Sequence, residues 1–188
     1  TSGGTNSSAI RVSFSARGDG TTWTTASDYF DVFDQKGESI TAFKVHNDTL
    51  GIFKTSSIFT YDEIELKQKI DDVGAYNDKV IHRIGANLFT FCPNGIFETN
   101  LSSTKQIGDP VRQYWENFLP IYDTVGNQRV VTNTFATVFQ DRYLLYIGNI
   151  TSPTTTNGVL LEYNTTSKAW TVHFGGFTNF VFLKSFNF

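Results

Sequence analysis

The stretch Leu50-Gly51-Ile52-Phe53-Lys54-Thr55-Ser56-Ser57-Ile58-Phe59 returns 38 residues later as Leu88-Phe89-Thr90-Phe91-Cys92-Pro93-Asn94-Gly95-Ile96-Phe97. Leucine, phenylalanine, isoleucine and phenylalanine occupy the same places in both copies. Each copy has an apolar run, a polar turn and a second apolar run, a pattern that predicts a β-hairpin. Repeats of about 40 residues built from hairpins are typical of propeller blades, which bury their faces against one another. We therefore predict an all-β fold, a β-propeller or partial propeller of antiparallel blades of about 40 residues.

The composition is that of an ordinary globular protein and favours strands. The 188 residues are 39% hydrophobic and 18% charged, and they include 18 Phe and 8 Tyr, which are enriched in β-strands. The formal net charge is -3 and the basic residues are scattered, so we expect no direct binding of nucleic acid. No apolar run approaches the roughly 20 residues that cross a bilayer, and we expect no membrane span.

The two ends of the chain differ from its middle. Residues 1–9 are rich in Gly, Ser and Thr, and we predict a flexible leader there, followed by one β-propeller domain over residues 10–188. The chain contains no Met, and residues 180–188 resemble an edge strand that awaits a continuation. We therefore expect the domain to be part of a longer chain.

Short apolar segments between turn residues predict further strands. The first five are residues 10–14, 29–33, 40–45, 49–54 and 58–61. Asp62 and Glu65 mimic a helix capping box, but Ile64, Leu66 and Ile70 follow a period of two, so residues 61–70 predict a half-exposed strand. Four more strands, the usual number for one blade, are predicted at residues 129–139, 142–147, 159–163 and 170–174.

Residues 110–118 predict one short helix, inserted between two blades. Asp109 would cap it, Pro110 would be its first residue, and apolar side chains at 111, 114, 115 and 118 would share one face. The strand anchors Leu88 and Leu144 lie 56 residues apart, 18 more than the repeat distance, and the helix accounts for the excess. Trp115 on this helix could contact another subunit, but burial against its own blade is the simpler interpretation.

Acidic residues and histidines occur without the spacing of a reactive site. Asp62 with Glu63, or Asp71 with Asp72, could form carboxylate pairs, yet adjacent residues of a strand point to opposite faces. The three histidines are 36 and 91 residues apart, unlike the short spacings of zinc sites, and we expect each at a strand end or on the surface: His46, His82 and His173.

The single cysteine, Cys92, rules out an internal disulfide, and we expect a buried thiol. No nucleophile elbow, phosphate-binding loop or dinucleotide fingerprint is present. We assign no catalytic, cofactor-binding or metal-binding residue, and we predict that the protein is not an enzyme and uses no cofactor.

Two turns resemble motifs of known propellers. Asp19-Gly20-Thr21-Thr22-Trp23 resembles the Asp-box turn of sialidase-type propellers, although two positions between Asp and Trp are missing, and that turn is structural in those proteins. Tyr163-Asn164 followed by Trp170 resembles the spacing in kelch blades, and a hairpin with residues 165–168 at its tip is sufficient to explain it.

Five Asn-x-Ser/Thr triplets begin at Asn6, Asn47, Asn100, Asn149 and Asn164. Glycosylation at them would indicate a secreted eukaryotic protein. A chain so rich in Asn, Ser and Thr also produces such triplets in its turns, and we favour that interpretation.

Three segments together resemble bacteriophage virion structural proteins that carry a β-propeller, including tail and tail-tube nozzle proteins of short-tailed phages. The first comprises Arg11-Val12-Ser13-Phe14-Ser15, Gly18-Asp19-Gly20 and Trp23. The second comprises Gly37-Glu38-Ser39-Ile40-Thr41-Ala42, Asn47-Asp48-Thr49-Leu50, Ile52-Phe53-Lys54 and Ser57-Ile58-Phe59. The third comprises Gly74-Ala75, Asn87-Leu88-Phe89-Thr90-Phe91 and Asn94-Gly95-Ile96-Phe97. The resemblance spans residues 10–118; Tyr76-Asn77-Asp78-Lys79 departs from it, and the last 70 residues follow only the generic blade pattern.

The resemblance implies a non-enzymatic structural component of the virion, in the tail, that assembles with other virion proteins and with copies of itself. Two alternatives stay open. A glycan-binding or adhesive propeller, for example one that binds a host surface glycan, would present an open aromatic platform. A glycoside hydrolase fragment would place two carboxylates roughly 5 to 10 Å apart in one pocket.

Overall fold

The computed structural model describes residues 10–15, 19–22, 29–33, 36–62, 65–116, 134–148 and 157–176. Over these ranges the protein is all-β, with four antiparallel sheets and one short helix. The predicted fold class is therefore confirmed at this level. The leader predicted at residues 1–9 lies outside the described residues.

The strands follow one another in short antiparallel steps. They are β1 (Arg11–Ser13), β2 (Tyr29–Asp31), β3 (Ile40–His46), β4 (Thr49–Lys54), β5 (Ser57–Tyr61), β6 (Leu66–Asp71), β7 (His82–Ile84), β8 (Asn87–Cys92), β9 (Gly95–Thr99), β10 (Thr104–Gln106), β11 (Thr134–Phe139), β12 (Arg142–Ile147), β13 (Asn157–Asn164) and β14 (Ala169–Gly176). The helix α1 spans Arg112–Trp115.

Twelve of these strands form three sheets of the same design. Sheet 1 contains β3 to β6, sheet 2 contains β7 to β10, and sheet 3 contains β11 to β14, each in chain order. Strands β1 and β2 form a separate two-stranded sheet, the N-terminal hairpin. The four strands predicted for residues 129–174 are the four strands of sheet 3, with residues 129–133 outside the described part of the chain.

The sequence repeat is a structural repeat in the same register. Phe53 on β4 lies opposite Ile58 on β5, and the corresponding Phe91 on β8 lies opposite Ile96 on β9. All four side chains are buried. Because side chains alternate between the two faces of a strand, this shared register places equivalent apolar residues on equivalent faces of sheets 1 and 2.

The three large sheets share one core. Phe53 of sheet 1, Phe89 of sheet 2 and Leu145 of sheet 3 belong to the same cluster of buried side chains. A smaller cluster on the other face of sheet 1, around Ile52 and Phe59, packs against the N-terminal hairpin. The middle strands are thus apolar on both faces in sheet 1, which is why they lack a simple alternation of polar and apolar residues.

Glycines bring the chain close to the hairpin that it has just left. A Cβ atom on Gly74, after β6, would lie 2.2 Å from the carbonyl oxygen of Lys54. Gly108, after β10, packs in the same way, and a Cβ there would lie 3.0 Å from the backbone nitrogen of Ile96. The next residue after Gly74, Ala75, donates a 2.9 Å hydrogen bond from its backbone nitrogen to the Lys54 oxygen. These close approaches hold each crossover against its own sheet.

The predicted helix at 110–118 is helical over its described part, residues 110–116, but its predicted cap is wrong. A 3-10 turn, Asp109–Val111, precedes a single α-helical turn, Arg112–Trp115, and Gly108 rather than Asp109 is the capping residue. Pro110 does lie at the start, and Val111 and Trp115 are buried as the apolar spacing predicts. The Trp115 ring packs edge-on against Phe91 at a centroid distance of 5.9 Å, so its burial within the chain is confirmed. Phe118 lies outside the described residues.

The strand predicted at 61–70 is shorter than expected, and residues 63 and 64 lie outside the described residues. β5 ends at Tyr61 and β6 begins at Leu66. Asp62 accepts a 3.3 Å hydrogen bond from the backbone nitrogen of Glu65. From Leu66 onward the prediction holds, with Lys67 and Lys69 exposed. Asp62 and Glu65 of the capping-box pattern thus lie between two strands.

Candidate functional site

The first strands of the large sheets come together. β7 contacts β11, and the 3-10 turn Asp78–Val80, just before β7, contacts both β3 and β11. Each sheet thus contributes its first strand to one region of the molecule. Binding sites often lie where separate structural units meet, and this region is such a junction.

A groove opens where the 3-10 turn meets β11. Its volume is about 360 Å³, and the described residues that line it are Lys79, His82, Phe135 and Ala136. Lys79 and His82 come from the start of sheet 2, and Phe135 and Ala136 come from the edge strand of sheet 3. The groove therefore exists only because the two sheets pack side by side.

Asn77 holds the 3-10 turn that forms one side of the groove. Its side-chain oxygen accepts a 2.8 Å hydrogen bond from the backbone nitrogen of Lys79 and caps the turn. Its side-chain nitrogen donates a 3.2 Å hydrogen bond to the carbonyl oxygen of Thr134 at the start of β11. One amide side chain thus shapes the turn and joins it to sheet 3.

His82 lines the groove beside the 3-10 turn. Its Nε2 atom lies 3.2 Å from the carbonyl oxygen of Lys79. Burial lowers the pKa of His82, and the positive charge of Lys44 on β3 lowers this pKa further. The hydrogen bond with the Lys79 carbonyl oxygen acts in the opposite direction but does not cancel the effect. His82 is therefore a neutral polar group at neutral pH.

The Phe135 ring gives the groove a flat apolar wall. It stacks on Tyr146 of β12 at a centroid distance of 4.9 Å and an interplanar angle of 29°. Stacking holds the ring in one orientation. Ala136, the next residue on β11, points to the other face of the strand, into the shared core. The described lining of the groove combines an aromatic side chain, a neutral imidazole and a lysine, a mixture of apolar and polar groups that is typical of binding sites.

The carboxylate pairs considered from the sequence have separate partners. Asp71 forms an ion pair with Lys69 at 2.8 Å, and Asp72 forms one with Lys36 at 3.3 Å. Glu63, the suggested partner of Asp62, lies outside the described residues. The described geometry thus brings none of these carboxylates into the groove.

The three histidines lie in three different environments. His46 is buried at the end of β3, and His173 on β14 contacts a carboxylate oxygen of Glu162 at 2.9 Å. Burial alone would raise the pKa of Glu162, but hydrogen bonds from His173 and Arg142 bring this pKa below its usual value. Within the described residues, no three His, Cys, Asp or Glu side chains gather as a metal site would require.

Cys92 is a buried free thiol, as predicted. Burial raises the pKa of this thiol, so it stays protonated at neutral pH. The residue belongs to the shared core with its neighbour Phe91.

The two propeller-like motifs form turns. Asp19 accepts hydrogen bonds from the backbone nitrogen of Thr21 at 2.9 Å and from the hydroxyls of Thr21 and Thr22 at 2.6 and 2.5 Å. These bonds lower the pKa of Asp19 to about 2. Tyr163 and Trp170 lie directly opposite each other on β13 and β14, with ring centroids 4.9 Å apart. Trp23 lies outside the described residues.

Two of the Asn-x-Ser/Thr triplets have a structural explanation. The side-chain oxygen of Asn100 accepts hydrogen bonds from the backbone nitrogens of Ser102 and Ser103 at 3.0 and 2.8 Å. Asn164 accepts from the backbone nitrogen of Thr166 at 2.9 Å. These are Asx turns, which favour the same residue types as a glycosylation triplet. Asn6 and Asn149 lie outside the described residues.

Sequence reasoning did not identify the groove. It treated His82 as an isolated histidine and gave Phe135 no role. The only available signal was that both residues belong to first strands of successive repeats, which become neighbours when the sheets pack.

No family model and no curated protein matches this chain. No helix among the described residues is long and apolar enough to cross a bilayer.

Proposed function

We propose that the chain is a non-enzymatic structural component of a bacteriophage virion, located in the tail, and that its large sheets are blades of a β-propeller. In this role it contributes to particle assembly through contacts with other virion proteins and with copies of itself. The resemblance of residues 10–118 to propeller-bearing virion proteins is the source of the proposal.

One observation carries the architectural part. Three consecutive sheets have four strands each in chain order. The first strands β7 and β11 contact each other, and the 3-10 turn that precedes β7 contacts the first strand of sheet 1, β3. Blades of a propeller have this strand order, and their first strands gather around a common axis. The shared register of the hairpins in sheets 1 and 2 adds to this support.

Such an architecture suits a structural role. Radially arranged sheets leave only short, protected edges and present loops at two ends for contacts with neighbours. The many copies expected in a particle would repeat the same contact around a symmetry axis.

An exposed apolar pair on β3 is a candidate contact with a second copy. Phe43 is 46% exposed and Val45 is 69% exposed, and both lie on the face of sheet 1 that bears Leu50 and Ile52. The N-terminal hairpin covers the middle of this face and leaves the β3 end open. Apolar side chains of this size contribute strongly to subunit contacts when they are buried.

Two experiments test the proposal. Mass spectrometry and electron microscopy of the native material should find the chain within a symmetric ring or a virion. For the purified protein, Phe43→Ser with Val45→Ser should reduce self-association in sedimentation, whereas the control Phe139→Ser, at a 61% exposed residue of β11, should not. A discrete 21.1 kDa monomer that carries glycans at the triplets would contradict the assembly role.

A glycan-binding propeller is the second candidate, and the aromatic wall of the groove favours it. The four described residues that line the groove include no carboxylate, so they give the glycoside hydrolase alternative no support.

A further inference from the structure

The described sheets form a row whose two ends differ. The N-terminal hairpin packs on the face of sheet 1 that bears Ile52 and Phe59. Sheet 2 packs on the opposite face of sheet 1, where Phe53 belongs to the shared core. Sheet 3 packs on sheet 2, where the Tyr143 ring stacks on Phe89. The N-terminal hairpin and sheet 3 are therefore at the two ends of the described row.

The N-terminal hairpin covers only part of its face of sheet 1. Phe30 of the hairpin stacks on Tyr61 of β5 at a centroid distance of 4.6 Å. Phe43 on β3 lies directly opposite Ile52, so Phe43 and Val45 belong to the same face of sheet 1. Both are exposed. The uncovered part of this face is thus apolar and lies along β3, an edge strand of the sheet.

The sheet of the N-terminal hairpin has room for a further strand. Within the described residues it has two strands, whereas each of the three large sheets has four. Each of β1 and β2 therefore has one edge without a described partner strand, and such edges accept a further strand through backbone hydrogen bonds. A strand added to the edge nearer to β3 would extend the hairpin by about 4.8 Å toward Phe43 and Val45.

The end of the sequence has the pattern that such a strand needs. Phenylalanine recurs there with a period of two, at Phe180, Phe182, Phe186 and Phe188. A strand over residues 180–188 would therefore carry these four aromatic rings on one face. The segment follows sheet 3 and lies outside the described residues. Because sheet 3 and the hairpin are at opposite ends of the row, a second copy placed head to tail would bring its segment to the hairpin of the first.

We propose that residues 180–188 of a second copy add a strand to the N-terminal hairpin and cover Phe43 and Val45. This inference rests on the proposed contact of β3 with a second copy and names the segment that makes this contact. The contact is heterologous, since one copy supplies the donor segment, residues 180–188, and the next supplies the acceptor face around β3. Each copy has one of each, so the same contact can repeat around a ring.

The test compares two variants of the full chain by sedimentation. Phe43→Ser with Val45→Ser removes the acceptor face. Phe180→Ser with Phe182→Ser removes the donor segment. Each variant alone should self-associate about a hundredfold more weakly, because two apolar side chains are lost from the contact. The control Phe139→Ser, at an exposed residue of sheet 3, should self-associate as the unmodified protein does.

A mixture of the two variants tests whether the contact is head to tail. The acceptor variant keeps an intact donor segment, and the donor variant keeps an intact acceptor face. An equimolar mixture should therefore form a dimer that grows no further.

A synthetic peptide of residues 177–188 gives a measurement that does not depend on the folding of a variant. Added to the unmodified protein, the peptide should compete with the donor segment of the second copy and dissociate the assembly. The same peptide with Phe180→Ser and Phe182→Ser should leave the assembly intact.

The inference is overturned if the donor variant self-associates normally while the acceptor variant does not; the proposed contact on β3 then stands with another occupant. It is also overturned if the mixture stays monomeric or if the peptide has no effect. If neither variant changes self-association, or if the unmodified protein is a monomer, the proposed contact with a second copy fails as well.

Discussion

The hydroxyl group of Tyr143 donates a 2.7 Å hydrogen bond to the carbonyl oxygen of Val80. Tyr143 belongs to sheet 3, whereas Val80 ends the 3-10 turn that begins sheet 2. Both residues are fully buried, and the Tyr143 ring stacks on Phe89 of sheet 2 at a centroid distance of 5.6 Å. Burial raises the pKa of Tyr143, so the hydroxyl stays protonated and remains a donor. This one side chain joins the two sheets on either side of the groove.

Tyr143→Phe should lower the free energy of unfolding by about 1 to 3 kcal/mol, because it leaves the buried Val80 carbonyl without its donor. Urea denaturation measures this change. Tyr61→Phe is the control. The Tyr61 ring stacks on Phe30, and phenylalanine keeps this ring. The substitution should therefore change the free energy of unfolding by no more than about 0.5 kcal/mol. Equal stability of the Tyr143→Phe variant and the unmodified protein would contradict the structural role of the bond.

Gly74→Ala should destabilise the protein by about 1 to 3 kcal/mol, since the added methyl group meets the rigid backbone at Lys54 and Thr55. Gly20→Ala provides the comparison, because a Cβ atom there has no neighbour within 4 Å. Thermal unfolding of the two variants should therefore differ, with the lower midpoint for Gly74→Ala. A midpoint for Gly74→Ala at or above that of Gly20→Ala would show that the crossover does not pack closely on its hairpin.

Lys54→Ala should destabilise the protein by about 2 to 4 kcal/mol and loosen the N-terminal hairpin. Lys54 is fully buried, and its Nζ atom donates a 2.7 Å hydrogen bond to the carbonyl oxygen of Val32, beyond β2. The substitution removes both the packing of the stem and the bond. Lys54→Met keeps the stem volume, so its loss should be smaller. The loosening of the N-terminal hairpin is measured by hydrogen exchange at the backbone amides of Val12 and Phe30. Unchanged exchange rates in Lys54→Ala would refute the role of Lys54 as an anchor of this hairpin.

His82 should make stability fall as the pH drops below about 6.5, the ordinary pKa of histidine. Its pKa in the folded protein lies below the ordinary value of 6.5, so the unfolded chain takes up a proton at a higher pH than the folded protein. The stabilisation is therefore complete above pH 6.5 and is lost as the pH falls through the lowered pKa. Urea denaturation at a series of pH values should show this decline, and His82→Gln should reduce it. An equal pH dependence in both proteins would assign the effect to other groups.

The sequence predicted strand positions correctly where a short apolar segment is bounded by turn residues. The range 49–54 matches β4, and the range 142–147 matches β12. Strand β10 carries Thr104, Lys105 and Gln106, all exposed, and gave no apolar signal. Strand β7 has three residues and too short a pattern to recognise. Both are first or last strands of a sheet, whose pairing depends on the neighbouring strand rather than on their own side chains.

The helix shows what apolar spacing can and cannot predict: it predicted which side chains are buried, but not which residue caps the helix. Its apolar spacing correctly predicted burial of Val111 and Trp115, because those residues face the same core in one turn of helix. The prediction of Asp109 as the capping residue was wrong. The helical segment is capped by Gly108, which packs on the backbone of Ile96. That close approach depends on sheet 2 and cannot be inferred from the order of residues alone.

The sequence by itself determined the all-β class, the two hairpins in one register and the burial of Cys92, since these depend on short apolar runs, on the turn residues between them and on the repeat distance of 38 residues. The tertiary structure alone decided the crossovers at Gly74 and Gly108 and the groove. Lys79 and Phe135 are 56 residues apart and become neighbours only when sheet 2 packs against sheet 3. A site of this kind arises from packing between distant strands, which no local pattern encodes.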